Sequence, residues 1–568
     1  MDKHIKHRKL LCLLLAIALM IIAVACTPQS PDPGNASATP GGTSQATAAP
    51  AAQTPAASES GGIAISGPNE FPIVTEPLTL KVWALQRVQL DDPLTNTMTI
   101  EYERKTGVTL DWTVVSGEAA NAQLSLNVAS GEHPDMYLRS FTAEQVQMMA
   151  EANALRPLGD LIEEHGVNLK QVFAEHPEFK DLITANDGNI YTLFETDIGV
   201  HMINQQKMFA FRPWLEALGG KAPQTTAEFK DYLIAIRDGD LNNNGRNDEI
   251  PFISDNTGTG DPVFFIMNSF EPTTRNFYKI SDDGEIIFAA DKDGWREGLR
   301  YMNELYEEQL FYAEETYTQG GDALKALVNI DPEGDFLVGA ISHFWQGNYV
   351  DISVLNWTDF APIPPLEGPD GTREVPASGP VFRLVSAITT NCQYPEVAIK
   401  WLDFWAGDEG AFANNYGFIE GHGYEWTDEP SYAGEPRSIR TIAQENIRWG
   451  ASMVPKNDKF AEIRYVVTDV VEDRHKVANI HVLNEAAAEY EPYYVPHNVP
   501  QISWSTAEVL TAMTEQRTLI NDYVKQAYTE FILGIRDLDK DWDRYLADLS
   551  SMGLENYLEL LKTHHGLD

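Results

Sequence analysis

The chain has 568 residues, of which 43% are hydrophobic, 10% aromatic and 22% charged, an ordinary balance for a water-exposed globular protein. Its 41 basic and 84 acidic side chains leave a formal net charge of −43, which speaks against nucleic acid or anionic lipid as a partner, because both need a positive face. A body of this length exceeds what one hydrophobic core fills, so two or three lobes are expected.

The chain opens on a basic start (Lys3, Lys6, Arg8, Lys9) followed by an apolar run from Leu10 to Ala25. That run is short for a bilayer span and has the form of a secretory signal; an uncleaved anchor helix is the alternative. Ala23-Val24-Ala25-Cys26 resembles a bacterial lipobox, with Ala23 in place of the usual Leu. The expectation is a leader over residues 1–25, removed to leave Cys26 as a lipidated N-terminus at the outer face of the membrane. Residues 26–68 are built almost entirely of Ala, Ser, Thr, Gly, Gln and Pro. Such a stretch buries too little apolar surface to offset its ordering entropy and reads as a flexible spacer. Cys12 leaves with the leader and Cys26 carries the lipid, so Cys392 alone remains in the body. An exported chain without a disulfide fits a Gram-positive surface lipoprotein.

The body, residues 69–568, reads as mixed α/β. Leu78 to Trp83 is a first strand, Asn96 to Lys105 a helix stopped at Gly107, and Val108 to Val115 alternates as a second strand. A helix over Ala119 to Ala129 and the strand Met136-Tyr137-Leu138 complete an alternation that predicts a parallel, doubly wound lobe. Helical spacing returns over Thr226 to Arg237, Trp295 to Leu310 and Val509 to Leu561.

No HExxH, GxSxG, Walker A or GxGxxG motif and no zinc-spaced Cys/His set occurs in the sequence, so no catalytic residue is assigned. His133, His343 and His422 read as scaffold. One segment carries specific chemistry. From Asp240 to Glu249, oxygen-bearing side chains fall at positions one (Asp240), three (Asn242), five (Asn244) and nine (Asp248), with Gly245 at six and the Arg246 carbonyl at seven. This is the front of an EF-hand-type Ca²⁺ loop, in which Pro251 stands where the bidentate Glu is expected and Glu249 is placed to supply that contact. An Asx-rich turn without metal is the alternative. Lying between a helix and a strand, the ion has a structural role.

Three stretches together carry a family resemblance. They are Trp214 to Phe229 running into the Asp240 loop, Tyr394 to Trp405 with Asn415 to Gly421, and Phe531 to Gly534 with Trp542 to Leu546 and Met552 to Leu554. With Ser130 to Asp135 they resemble, in order, the family 1 extracellular solute-binding lipoproteins of ABC importers, in the large Paenibacillus-type branch similar to alginate oligosaccharide-binding proteins. The resemblance implies a two-lobed, hinged α/β fold closing on a ligand in the cleft, a calcium ion on Asp240, Asn242, Asn244, Arg246, Asp248 and Glu249, separate permease subunits and a monomeric receptor. Sugar recognition calls for aromatic faces and fixed polar groups. Trp401 and Trp405 lie at helical spacing and belong to a core, whereas Trp83, Trp345, Tyr416 and Trp504 in turn-rich contexts, with Arg383, are the ligand-binding candidates. The reading is a tethered receptor delivering an oligosaccharide, with a receptor for a peptide or small glycoside, a surface polysaccharide-degrading enzyme and a sensing lipoprotein as alternatives.

Overall fold

The computed structural model describes residues 63–567 apart from 88–89, 198–199, 205, 257, 331–335, 352–354, 356–358, 378–380, 432–434, 443–445, 451–452 and 457–478. The leader, Cys26 and nearly all of the spacer lie outside the described residues. No described helix is long and apolar enough to cross a membrane.

Local chemistry sets the first elements. Strand β1 (Leu78–Leu85) buries alternate residues over Leu78–Lys81 and then Val82, Trp83 and Ala84 in succession, as a strand covered on one face at its start and on both further along must. The Asn96 side chain accepts hydrogen bonds from the Met98 and Thr99 amides at the start of helix Thr97–Thr106, and Gly107 closes it at φ +73°; both ends thereby find partners for amides and carbonyls a helix leaves open. Then follow β2 (Val108–Val115), helix Gly117–Ser130, β3 (Met136–Phe141), helix Ala143–Glu151 and β4 (Thr192–Asp197). The chain continues through β5 (Met208–Phe211), helix Thr226–Arg237, β6 (Ile250–Phe252), a hairpin of β7 (Tyr278–Ile280) and β8 (Ile286–Phe288), helix Asp293–Glu307, β9 (Val338–Ser342), β10 (Phe360–Ile363), the short β11 (Val375–Ala377) and β12 (Val381–Ile388).

The two larger sheets among the described residues have the orders β2-β1-β3-β12-β4 and β10-β5-β9-β6. In the first, β1 pairs in parallel with β2, from Leu78 with Val108 to Leu85 with Val115, and with β3. The expected parallel start is therefore present, but β12 is inserted antiparallel between β3 and β4. A strand arriving from 240 residues downstream of β3 leaves no trace in local spacing. Each sheet has its own core, so the fold is the two-lobed α/β arrangement expected. The first core gathers Trp401, Trp405, Trp449 and Tyr102 at 1% exposure or less. Their rings lie 4.6 to 6.3 Å apart, and Trp449 Nε1 donates to Thr99 Oγ1 at 2.9 Å. The second surrounds Trp295 and the long helix Ala507–Ile532. The helical run expected over Val509 to Leu561 is three helices, Ala507–Ile532, Trp542–Ser551 and Leu554–His565, with Gly534 and Gly553 at positive φ between them.

The chain passes from the first sheet to the second after β4, returns through β12, and touches the first sheet again where the Thr196 amide donates to the Lys456 carbonyl at 3.1 Å. The hydroxyl of Tyr490 then ties helix Asn479–Tyr490 to the second sheet, accepting from the Met208 amide at 3.1 Å and donating to the Ile363 carbonyl at 2.9 Å. Cys392 is buried against the first core, and burial together with nearby Asp135 pushes its thiol up to about 12.

Candidate ligand site at the carboxyl edges of the two sheets

Open α/β sheets bind ligands outside the carboxyl ends of their strands, where the chain leaves each strand for a loop and backbone groups lie open. In the first sheet that edge carries Arg87 beyond β1, Arg139 near the end of β3, Glu195 near the end of β4 and, because β12 runs the other way, Arg383 near its beginning. Arg383 and Glu195 are cross-strand neighbours and form an ion pair at 3.3 Å, with the Glu195 carboxylate 3% exposed. Arg139 is 6% exposed; its Nε donates to the Ser140 carbonyl at 2.8 Å and its Nη2 to Asn121 at 3.2 Å and Gln145 at 3.4 Å. The guanidinium lies over Trp83 and Phe141, 5.5 and 5.4 Å from their ring centres, the arrangement of a cation on an aromatic face. Burial holds Arg139 and Arg87 below the ordinary arginine range; Arg87 adds to this for Arg139, while for Arg87 the field of Glu195 opposes it.

In the second sheet the corresponding edge carries Ser254 and Asp255 beyond β6, His343 beyond β9 and Lys207 just before the antiparallel β5. Ser254 Oγ bonds the carbonyls of Gly260 at 2.7 Å and Ser342 at 2.8 Å, clamping two loops together. Lys207 is fully buried; its ammonium donates to the His201 carbonyl at 2.7 Å and to that of Asn204, and burial lowers it to about 7. His343 is lowered to about 4 by burial, and its Nδ1 accepts from the Trp345 amide at 3.2 Å. Asp261 is raised to about 6 by burial against the donations of the Tyr528 hydroxyl and the Val263 amide. Two glycines are required here: a Cβ on Gly260 would stand 1.9 Å from Asp255 Oδ1, and one on Gly347 would stand 2.4 Å from the Trp345 ring. The indole of Trp345 is thus laid against bare backbone at the end of β9.

Of the sequence candidates, Trp345 and Arg383 fall on these edges and Trp345 keeps partial exposure. Trp83 is a correction. It lies inside β1, because Ala84 and Leu85 continue the strand, and at 3% exposure it packs edge-on to Tyr137. Tyr416 is a second correction: it ends helix Asp408–Tyr416, is 2% exposed and packs on Phe412. Both rings are occupied by the core and offer no open face. Trp504 is half-buried against the first core, its Nε1 donating to the Leu182 carbonyl at 2.9 Å. Trp401 and Trp405 are buried as their spacing requires. A cavity of about 410 Å³ opens between the ends of β3 and β12 and the C-terminal helices, with Phe141, Arg383, Gln501, Arg517 and His565 on its walls. Sequence reasoning missed Arg87, Arg139, Glu195, Lys207 and Asp255; for all but Lys207, which precedes the antiparallel β5, a polar residue at or just beyond a strand's carboxyl end was the available signal.

The Asp240 loop lies at the opposite, amino end of β6. Asn243 and Gly245 take positive φ of 56° and 75°, which curls the loop on itself. Glu249 is 4% exposed; its Oε1 accepts from the Leu241 amide at 2.7 Å and the Asn242 amide at 3.4 Å, while Oε2 is buried without a partner. Asp240 accepts from the Gly245 amide at 3.0 Å, and Asp248 from Asn244 Nδ2 at 3.1 Å and Arg246 Nε at 2.9 Å. Among the described residues no group of three or more His, Cys, Asp and Glu side chains is arranged around a metal-sized gap. The loop mixes three carboxylates with two amides, a donor set suited to a hard cation, and the orphaned Glu249 oxygen is the atom such a cation would satisfy.

Residues 97–420 match the family described as bacterial extracellular solute-binding protein. The fructooligosaccharide ABC transporter substrate-binding protein FusA of Streptococcus pneumoniae is 27% identical over 520 residues, covering 87% of this chain and 91% of FusA. Lipoprotein LipO of Bacillus subtilis is 22% identical over 459 residues, 78% of this chain and 83% of LipO. FusA in complex with kestose superposes with a TM-score of 0.72 at 24% identity over 86% of this chain and 99% of that one, and an EF-hand mutant of FusA has also been solved. The alginate-binding protein AlgQ2 without calcium ion gives a TM-score of 0.65 at 20% identity over 87% and 99%. These structures share the two-lobed fold described above, and the family match spans more than half of the sequence. The chain belongs to the bacterial extracellular solute-binding proteins.

Proposed function

We propose that the protein is the tethered receptor of an ABC importer and takes an oligosaccharide between the carboxyl edges of its two sheets, without changing it chemically. The likeness to FusA over 87% of the chain supports this reading most directly. Trp345, laid on Gly347, presents a stacking face; Arg383 with Glu195, and Trp504, supply polar and aromatic contacts from the other lobe. A ligand touching both edges stabilises the closed form selectively, and the permease subunits recognise that form. Residues 1–25 act as the leader, Cys26 carries the lipid and residues 26–68 form the spacer, so the body works as a monomer at the outer membrane face. A structural Ca²⁺ sits in the Asp240 loop on Asp240, Asn242, Asn244, the Arg246 carbonyl, Asp248 and Glu249. Its place at the amino end of β6 keeps it away from the ligand edge.

The test is a thermal-shift panel of neutral and acidic oligosaccharides followed by analysis of the recovered glycan. A ligand present well above its Kd raises the melting temperature by mass action and is recovered intact. Recovery of shortened chains replaces the receptor with an enzyme. A Cys26→Ser protein that still partitions into detergent removes the lipid anchor.

A further inference from the structure

The two edges differ in what they leave unsatisfied. On the first, Arg139 Nη1, Arg87 Nε and Trp83 Nε1 are buried N–H donors without an acceptor. Such groups are costly to leave open, the more so when charged. Among the described residues no carboxylate forms an ion pair with Arg87 or Arg139, and Glu195, the acid that acts on Arg87, is already paired with Arg383. Glu144, in the first turn of the neighbouring helix, is taken by Thr514 at 3.2 Å and Arg517 at 3.6 Å. Arg383 is thus paired with Glu195, Arg87 feels that same carboxylate at longer range, and Arg139 feels Arg87 instead. Beside them, helix Gly117–Ser130 begins at Ser116 with no side-chain cap, its dipole adding positive potential, and the space at Gly117 is open. Asn121 and Gln145, which hold Arg139 Nη2, fix the guanidinium against the starts of two helices.

Resting on the receptor reading above, we propose that Arg87, Arg139 and Arg383 form a subsite for an anionic sugar unit, so that the bound oligosaccharide carries a carboxylate. Arg87 and Arg383, both partly exposed, meet the carboxylate directly; Arg139 backs them as a fixed second charge. A planar carboxylate offers paired acceptors to a guanidinium fork, which a hydroxyl does not. The acidic surface as a whole does not oppose this, since a local basic pocket sets its own field at short range.

Calorimetry on the mature protein with uronate trisaccharides (galacturonate, mannuronate and glucuronate) and the same trisaccharides with carboxyls reduced to primary alcohols decides the matter. The expected result is a preference of about tenfold or more for one acid over its reduced form. That preference shrinks as salt rises, because part of the interaction is screened. Arg87→Gln weakens the acid severalfold more than the reduced form and so shrinks the preference, with a melting curve showing the fold intact. A reduced form binding as tightly as its acid, or Arg87→Gln weakening both alike, overturns the subsite. If neutral oligosaccharides raise the melting temperature and no uronate does, the anionic subsite falls and the receptor stands. If no saccharide does, both fall.

Discussion

The carboxyl edges of the two sheets, between which we propose that the ligand binds, are built on different electrostatic plans. The first presents guanidiniums outnumbering their carboxylate partner. The second holds ionisable groups that burial shifts toward their neutral forms: Lys207 lowered to about 7, His343 lowered to about 4 and Asp261 raised to about 6. Burial among closely packed loops disfavours ionisation on the second edge, whereas the guanidiniums of the first keep their charge.

The largest expected effect tests whether the lobes are energetically separate. Trp401→Ala removes a ring that is 1% exposed in the first core and costs about 3–5 kcal/mol. Calorimetric scanning should show a low-temperature transition for the first lobe with the second unshifted; one transition moving as a whole breaks the comparison. The next effect belongs to the second lobe. Chelation of calcium, or Asp248→Ala, lowers the melting temperature by removing up to about 2.7 kcal/mol of binding free energy at a hundredfold excess over Kd. A chelated sample of metal-loaded protein with an unchanged melt excludes the site. Smaller still, Trp345→Ala weakens saccharide binding by about 1 kcal/mol or more, several-fold in Kd, while the ligand-free melt stays within a degree or two.

The smallest effect is in pH. His343 and His565 are held at about 4 by burial, below the 6.5 or so of an unfolded histidine. Between about 6.5 and 4 the unfolded chain therefore takes up protons the folded chain refuses, and stability falls as pH drops through that window. Asp261, raised to about 6, acts in the opposite sense, its contribution being lost as pH rises through 6. The net expectation is a declining melting temperature from pH 7 to 4.5, flattened by His565→Gln and steepened by Asp261→Asn. A flat profile in the unsubstituted protein contradicts the assignment.

Where a side chain's role is local, the sequence was a sufficient guide. Val108–Val115 and Thr226–Arg237 fall where alternation and helical spacing place them, and the Asp240 loop was visible because its oxygens are neighbours in the chain. The proposed ligand edge of the first sheet was legible only at Arg383, since Arg87, Arg139 and Glu195 join it only through the pairing of β3 and β4 with β12. Register between distant strands is set by burial of whole faces, which no window of local spacing contains. Trp83 was misplaced for a related reason. A strand expected to end at Trp83 puts that ring before a loop, whereas the apolar Ala84 and Leu85 carry the strand on.

The inertness of Cys392 has a practical consequence. A thiol pushed to about 12 and shielded by the first core stays protonated at neutral pH and does not compete for maleimide or iodoacetamide. A soluble body beginning beyond Cys26 therefore offers a silent background for thiol chemistry. One cysteine introduced near Trp345 and a second near Arg383 would take a dye pair without the removal of Cys392, so that the proposed lobe closure could be read as an optical signal.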